Sequence, residues 1–216
     1  MSAYFVTSTG TDIGKTFVTA GLIRHLRSDG RAVSALKPIV SGFVDVAGSD
    51  TGILLGALGE TATPDAVARL SPWRFAAPLS PDMAASREGR GVDFAALVEF
   101  CRAADAGGTR FIEGVGGIMV PLDGTHTVLD WAAALRLPLV LVAGSYLGTL
   151  SHTLTALRVI AAAKLDVAAL VVNESAGATV PLDETAATLA RFVSGVPIVT
   201  LARGTADFSP LAALLV

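Results

Sequence analysis

Short runs of consecutive apolar residues alternate along this chain with stretches that place apolar residues at helical spacing. The first run, residues 4–8, leads through a small-residue segment into residues 15–28, a helix carrying Phe17, Ala20, Gly21, Leu22 and Leu26. A second strand is predicted over 32–37, ended by Pro38. The pattern continues as a helix over 93–106, a short strand over 110–113 and a helix over 127–137. A continuous apolar strand at 139–143 and a long helix at 148–165 follow, then a strand at 167–173, a helix at 182–193 and a last strand at 198–201. Strands that are apolar throughout, separated by amphipathic helices, predict a mostly parallel sheet covered on both faces. Residues 44–90 break the alternation. They hold Pro64, Pro72, Pro78 and Pro81, which predict turns and short helices packed on the main body. No internal repeat is evident, and residues 1–216 are expected to form one α/β domain.

Right-handed crossovers put the C-terminal end of every strand on one edge, where ligands bind in folds of this kind. The polar and glycine-rich segments all follow strands. They are Ser8-Thr9-Gly10-Thr11-Asp12-Ile13-Gly14 after the first, Lys37-Pro38-Ile39-Val40-Ser41-Gly42 after the second and Glu113-Gly114-Val115-Gly116-Gly117 after the third. Gly144-Ser145 follows the fourth and Asn173-Glu174 the fifth. The opposite ends carry ordinary loops such as Ser28-Asp29-Gly30. One edge is therefore expected to be the active one.

Composition narrows the class. With 52% hydrophobic residues, the chain has ample material for a large core and none of the character of disorder. Its longest apolar stretch, 137–150, is interrupted by Gly144 and Ser145 and falls short of the ~20 residues that a membrane span needs. No basic segment precedes the first apolar run, so no secretory leader is expected. The net charge of −3, without a Lys/Arg cluster, argues against nucleic acid as a partner. The single cysteine, Cys101, falls in a helical apolar pattern and reads as an inert buried thiol, which fits a reducing, cytoplasmic setting.

The chemistry begins at Gly14-Lys15-Thr16. A strand, small residues and then Gly-Lys-Thr opening a helix is the order that a phosphate-binding loop requires, because backbone N–H groups and the helix dipole converge on an anion there. Lys15 would reach the outer phosphates, and Thr16 would ligate Mg²⁺. The loop is a variant, with Thr9 at the usual first glycine position and Gly10 following it. Such a site also needs carboxylates for the metal. Glu113 ends a strand and points at the same edge. Asp50 opens the helical run 50–58, where it either holds the metal or caps the helix. Lys37 also ends a strand. Two lysines converging on one edge suggest an anionic intermediate that must be stabilised. Of the three histidines, His25 and His126 read as solvated. His152 lies at a helix start, where either an anion binds or Thr149 or Ser151 caps.

Taken together, four segments resemble dethiobiotin synthetases. They are Thr9-Gly10-Thr11-Asp12-Ile13-Gly14-Lys15-Thr16, Lys37-Pro38-x-x-Ser41-Gly42, Glu113-Gly114-x-Gly116-Gly117 and Leu147-Gly148-x-x-x-His152. The resemblance runs in order from the first strand to Asn173 and thins toward the C-terminus. It implies a three-layer P-loop NTPase fold and an Mg-ATP-dependent cyclo-ligase of biotin biosynthesis. The substrates are 7,8-diaminononanoate, CO₂ (or bicarbonate) and ATP. One amine forms a carbamate, the carbamate takes the γ-phosphoryl group, and the second amine closes the ureido ring and expels phosphate. Carried onto this chain, Lys15 and Lys37 are the catalytic lysines, with Thr11 and Ser41 on the diamine. Asp12, Ile13, Gly14, Lys15, Thr16 and Phe17, with Asp50, Glu113, Gly114, Val115 and Gly116, surround the triphosphate. Thr16, Asp50 and Glu113 hold Mg²⁺. Asn173 reads the adenine with Ala202, Arg203 and Gly204. The resemblance also implies a homodimer in which Gly148, Thr149, Leu150 and Ser151 of one subunit take the substrate carboxylate bound in the other.

The chain departs from that family at three places. Members often have glycine where Ser8 stands and glutamate where Asp12 stands, and Leu201-Ala202-Arg203-Gly204 replaces a proline-centred adenine motif. The competing readings are a related amidoligase and a partition- or septum-placing ATPase switch. The former usually carries a further glutaminase domain. The latter carries a lysine at the start of its phosphate loop, where this chain has Gly10.

Overall fold

The computed structural model describes residues 2–103 and 107–215. Six strands, β1 (Ser2–Ser8), β2 (Val33–Leu36), β5 (Thr109–Glu113), β6 (Leu139–Gly144), β7 (Val167–Asn173) and β8 (Ile198–Leu201), form one sheet in the order β2-β5-β1-β6-β7-β8. Every pairing in it is parallel. From β1 the chain runs out to β2, returns to β5, then crosses β1 to reach β6, β7 and β8. The winding reverses at β1, so its C-terminal end opens into the crevice where ligands bind in such sheets.

The apolar strands divide their side chains between two layers. Phe5, Ile112, Leu139, Leu141 and Leu170 point to one face, against α5 (Phe94–Ala103), α6 (Val128–Leu135), α7 (Thr149–Ala162) and α8 (Leu182–Ala190). Val6, Phe111, Val140, Val142 and Val171 point to the other, against α1 (Lys15–Ser28), α2 (Asp50–Leu58), α3 (Pro64–Leu70) and α9 (Ser209–Ala212). Neighbouring residues on a strand alternate sides, so strands apolar at every position require helices on both faces. Phe5 packs edge-on against buried Trp131 at 4.9 Å, which fastens β1 to α6. No helix among the described residues is long and apolar enough to cross a membrane.

Several boundaries differ from those the pattern predicts. Pro38 ends β2, but the chain at once forms β3 (Ile39–Ser41), which pairs in parallel with β4 (Trp73–Phe75). This two-stranded sheet was not expected within or beside the irregular 44–90 segment, which also supplies α4 (Pro81–Arg87). Three-residue strands are too short to show a period of two. The helix predicted over 127–137 stops at Leu135, because Arg136 turns into the left-handed region at φ 54°. Likewise α7 ends three residues before Leu165, and α8 ends three before Val193. The predicted helix end at 104–106 lies outside the described residues. A final unpredicted element docks the C-terminal segment on α1. Phe208 covers Gly21 so closely that a Cβ there would lie 2.0 Å from the ring, and the Tyr4 hydroxyl donates to the Leu215 carbonyl.

Candidate active site

The segment between β1 and α1 wraps the C-terminal end of the central strand. Its turn uses left-handed backbone at Asp12 (φ 58°) and Gly14 (φ 100°). A side chain at Gly14 is excluded twice, by the backbone angle and by Asn173, whose Nδ2 would lie 2.3 Å from the new Cβ. Gly14 then caps α1, leaving the first-turn N–H groups pointed into the crevice. Asn173, at the end of β7, donates Nδ2–H to the Ile13 carbonyl at 2.8 Å, so it braces the loop from the side expected to receive the base.

Four charged side chains meet beneath this loop. Lys37 is 2% exposed, and its Nζ donates to Glu113 Oε1 at 2.8 Å and to the Gly114 carbonyl at 2.7 Å, while Asp50 Oδ2 lies 3.2 Å away. Burial by itself would lower the Lys37 pKa, but the two carboxylates outweigh it and hold the group above its ordinary value. Lys37 is therefore a firmly charged ammonium. Asp50 shows the mirror effect. Burial disfavours its charge, but Lys37 above all pulls its pKa below the usual carboxylate range. Lys15 is also buried, and here desolvation wins. With Lys37 adding repulsion, its pKa falls to about 8.

Asp50 does not cap its helix. Ser49 does, accepting from the Gly52 N–H at 3.2 Å, which leaves the Asp50 carboxylate for the site. Glu113 is fully buried at the end of β5. Its Oε1 accepts from Lys37 and from Thr16 Oγ1 at 2.7 Å, while Oε2 is buried with no protein partner. Thr16 Oγ1, Asp50 and Glu113 Oε2 are hard oxygen donors on one side of the loop, a set suited to Mg²⁺ completed by phosphate and water. Among the described residues there is no cluster of three or more His, Cys, Asp or Glu side chains, so a softer metal has no all-protein cage.

These groups open onto a cavity of about 580 Å³ that includes Thr11, Asp12, Gly14, Lys15, Thr16, Lys37, Ser41, Asp50, Val115 and Gly116. Ser41 stands at the end of β3 with its Oγ buried and unpartnered, as a hydroxyl awaiting a polar ligand would be. The outer wall is Pro78-Leu79-Ser80-Pro81, where the sequence predicts turns but no part in the site. The signal available was Gly42, whose left-handed backbone lets Pro78 approach to 3.2 Å of a Cβ position. On the other rim, Gly117 lies against the Gly10 backbone and joins the Glu113 turn to the phosphate loop.

Other expected residues lie apart from this cavity. Gly148, Thr149, Leu150 and Ser151 do not line it. Gly148 caps α7 with left-handed backbone, and buried Thr149 donates Oγ1–H to the Gly144 carbonyl at 2.7 Å rather than capping. His152 pairs with the Tyr146 hydroxyl at 2.7 Å and borders a separate hollow shared with Thr9, Thr11 and Met119. Ala202, Arg203 and Gly204 form an exposed turn after β8, beside Asn173 through the Asn173–Leu201 pairing. The Arg203 N–H donates to Glu174 at 2.8 Å. Phe17 is partly buried against Phe208 at 5.5 Å. Cys101 is buried, as expected, and burial pushes its thiol up to about 12.

Comparison with known proteins agrees with this geometry. A family model described as "AAA domain" matches residues 2–201. The chain is 50% identical over 202 residues to the ATP-dependent dethiobiotin synthetase of Acidiphilium cryptum, covering 91% of each protein. It is 50% identical over 213 residues to that of Methylobacterium nodulans, covering 94% of each. Among solved structures it resembles the hydrogenase maturation factor HypB from Archaeoglobus fulgidus, with a TM-score of 0.61 and 15% identity over 100% of this chain and 88% of that one. The MinC:MinD complex of Aquifex aeolicus gives a TM-score of 0.55 at 12% identity, covering 92% and 79%. At such identities the structural likeness shows the fold alone. The buried lysine–carboxylate cluster under a phosphate loop and the near-complete sequence match agree, and the chain belongs to the ATP-dependent dethiobiotin synthetases, P-loop ligases of biotin biosynthesis.

Proposed function

We propose that this chain, as a single domain, makes dethiobiotin from 7,8-diaminononanoate, CO₂ and ATP in the cavity between its phosphate loop and Lys37. The observation that carries the reading is the placement of Lys37. A lysine that is 2% exposed, kept protonated by Glu113 and Asp50, faces a solvent-reached cavity next to a phosphate loop. An ammonium held so tightly serves as a fixed positive charge rather than as a base.

The amine of the diamine nearer Ser41 attacks CO₂ and loses a proton, giving a carbamate anion. Lys37 stabilises that anion and keeps it from reverting. A carbamate oxygen then attacks the γ-phosphorus of ATP, breaking the bond to the β-γ bridging oxygen and releasing ADP. Lys15 neutralises charge on the phosphoryl group during transfer. The second amine attacks the carbonyl carbon of the carbamic–phosphoric anhydride and loses a proton, which leaves with the phosphate. Phosphate leaves, and the ring closes. Mg²⁺ held by Thr16, Asp50 and Glu113 would offset the negative charge of the phosphates. Asn173 and the 202–204 turn hold the adenine. The reading places the enzyme in the cytoplasm as a homodimer, in which residues 148–151 of a second copy take the substrate carboxylate. Ser151, exposed in the first turn of α7 and absent from the lining of its own cavity, is open to a second copy, which supports that arrangement.

The test is ADP release as a function of diamine. With MgATP and bicarbonate present, ADP formation is expected to depend on the diamine and to saturate with it. ATP hydrolysis indifferent to the diamine would favour the switch ATPase reading instead.

A further inference from the structure

The sequence alone gives Ser8 no task beyond its place in a glycine-rich turn. In the structure it is fully buried at the end of β1, under the phosphate loop. Its Oγ lies 3.1 Å from Lys15 Nζ, 2.5 Å from the Gly10 carbonyl and 3.0 Å from the Gly116 carbonyl. An ammonium can only donate, so Ser8 Oγ accepts from Lys15. The single hydroxyl proton is then left to bond one of the two carbonyls. One of these belongs to the phosphate loop and the other to the turn after Glu113. The Ser8 carbonyl also accepts from the Ile118 N–H at 2.9 Å, so its main chain holds that turn whichever carbonyl takes the hydroxyl proton.

Lys15 has one further partner on this side, the Gly10 carbonyl at a long 3.5 Å. Two of its three N–H bonds thus face the floor of the loop, which leaves the third for the cavity that Lys15 lines. We propose that Ser8 is a positioning residue for nucleotide binding: its hydroxyl sets the direction of the Lys15 ammonium, while its one proton bonds a carbonyl of the phosphate loop or of the turn after Glu113. The inference rests on Lys15 being a phosphate ligand. Ser8 does not line the cavity and acts through Lys15. A charge-assisted hydrogen bond in a buried setting is stronger than a neutral one, so its loss should be measurable in nucleotide affinity.

The experiment is equilibrium titration of MgATP against the parent, Ser8→Ala, Ser8→Thr, Lys15→Met and the Ser8→Ala/Lys15→Met double variant, with thermal unfolding of each. Ser8→Ala is expected to weaken ATP binding by about 5- to 10-fold. At saturating ATP, the diamine concentration for half-maximal rate should stay within about twofold of the parent, since a general collapse of the site would move both. Ser8→Thr, which keeps the hydroxyl, should restore affinity. In the Lys15→Met background, Ser8→Ala should add less than about twofold, because residues acting through one group are not additive. Parent-like ATP affinity in Ser8→Ala, or a full additional loss in the Lys15→Met background, overturns the inference. If Lys15→Met itself binds ATP like the parent, the phosphate role of Lys15 is what fails. Should Ser8→Ala not fold, Ser8→Gly removes the same hydroxyl and carries the same comparison.

Discussion

Replacing Lys37 with alanine separates what that residue does for the fold from what it does for the reaction. The substitution strips the ammonium from Glu113, which is fully buried, and leaves the Gly114 carbonyl without its donor. Removing one partner of a buried ion pair typically costs about 3–5 kcal/mol, because the remaining charge is stranded. For a chain of this size each kcal/mol is worth roughly 2–4 °C, so the unfolding midpoint should fall by roughly 6–20 °C. Part of this loss is repaired in the Lys37→Met/Glu113→Gln double variant, which removes both charges of the Lys37–Glu113 pair. Activity behaves differently. Loss of a preorganised donor aimed at developing negative charge costs about 100- to 1000-fold in rate, and the double variant should not recover it. ATP binding should survive in Lys37→Ala, because the loop groups on the phosphates are untouched. Mg²⁺ should bind no more weakly, since the ammonium no longer competes for Asp50 and Glu113. The assays are thermal unfolding, ATP titration and single-turnover formation of the ureido product, all well below the lowered midpoint. Turnover of Lys37→Ala within tenfold of the parent would refute the electrostatic assignment.

Further outcomes follow from the same geometry. Glu113→Gln and Asp50→Asn should each raise the Mg²⁺ concentration for half-maximal activity by at least about tenfold, ~1.4 kcal/mol of binding; parent-like titrations in both would place the metal elsewhere. Gly14→Ala meets Asn173 at 2.3 Å and a φ of 100°, so it should weaken ATP binding and cost about 1–3 kcal/mol of stability. An unchanged urea midpoint would show that the loop is not held as described. Desolvation pushes the Asp123 carboxyl up, but hydrogen bonds from the Thr125 N–H, the His126 ring and the His126 N–H together outweigh it and pull the pKa down to about 2. Its folded pKa lies below the unfolded value of about 3.9, so its stabilisation is present above that value and fades as pH falls toward 2. The stability gap between the parent and Asp123→Asn should therefore shrink as the pH falls from 4 toward 2 in urea titrations. A gap that widened on acidification would reverse the sign.

The parallel sheet, its active edge and the Lys15–Lys37–Glu113 convergence were legible because strand-end position fixes where a side chain points. Continuous apolar runs such as Leu139–Gly144 also leave little choice of burial. Asp50 was ambiguous until its neighbour Ser49 took the cap, since either residue type serves there. The β3–β4 pair, the Pro78–Pro81 wall and the docking of Phe208 on Gly21 were not legible. Each depends on partners tens to hundreds of residues away, and none leaves a local period. The missed role of Ser8 has the same origin. Its three contacts include one to Gly116, 108 positions along the chain.

The most direct test of the central claim is the fate of the carbon. The chain is incubated with MgATP, 7,8-diaminononanoate and ¹³C-bicarbonate, and the products are read by mass spectrometry alongside phosphate release. The account predicts one labelled carbon in a ureido product, formed in step with one phosphate and lost in Lys37→Ala. ATP consumption without a labelled product, or label incorporated equally well by Lys37→Ala, would contradict it.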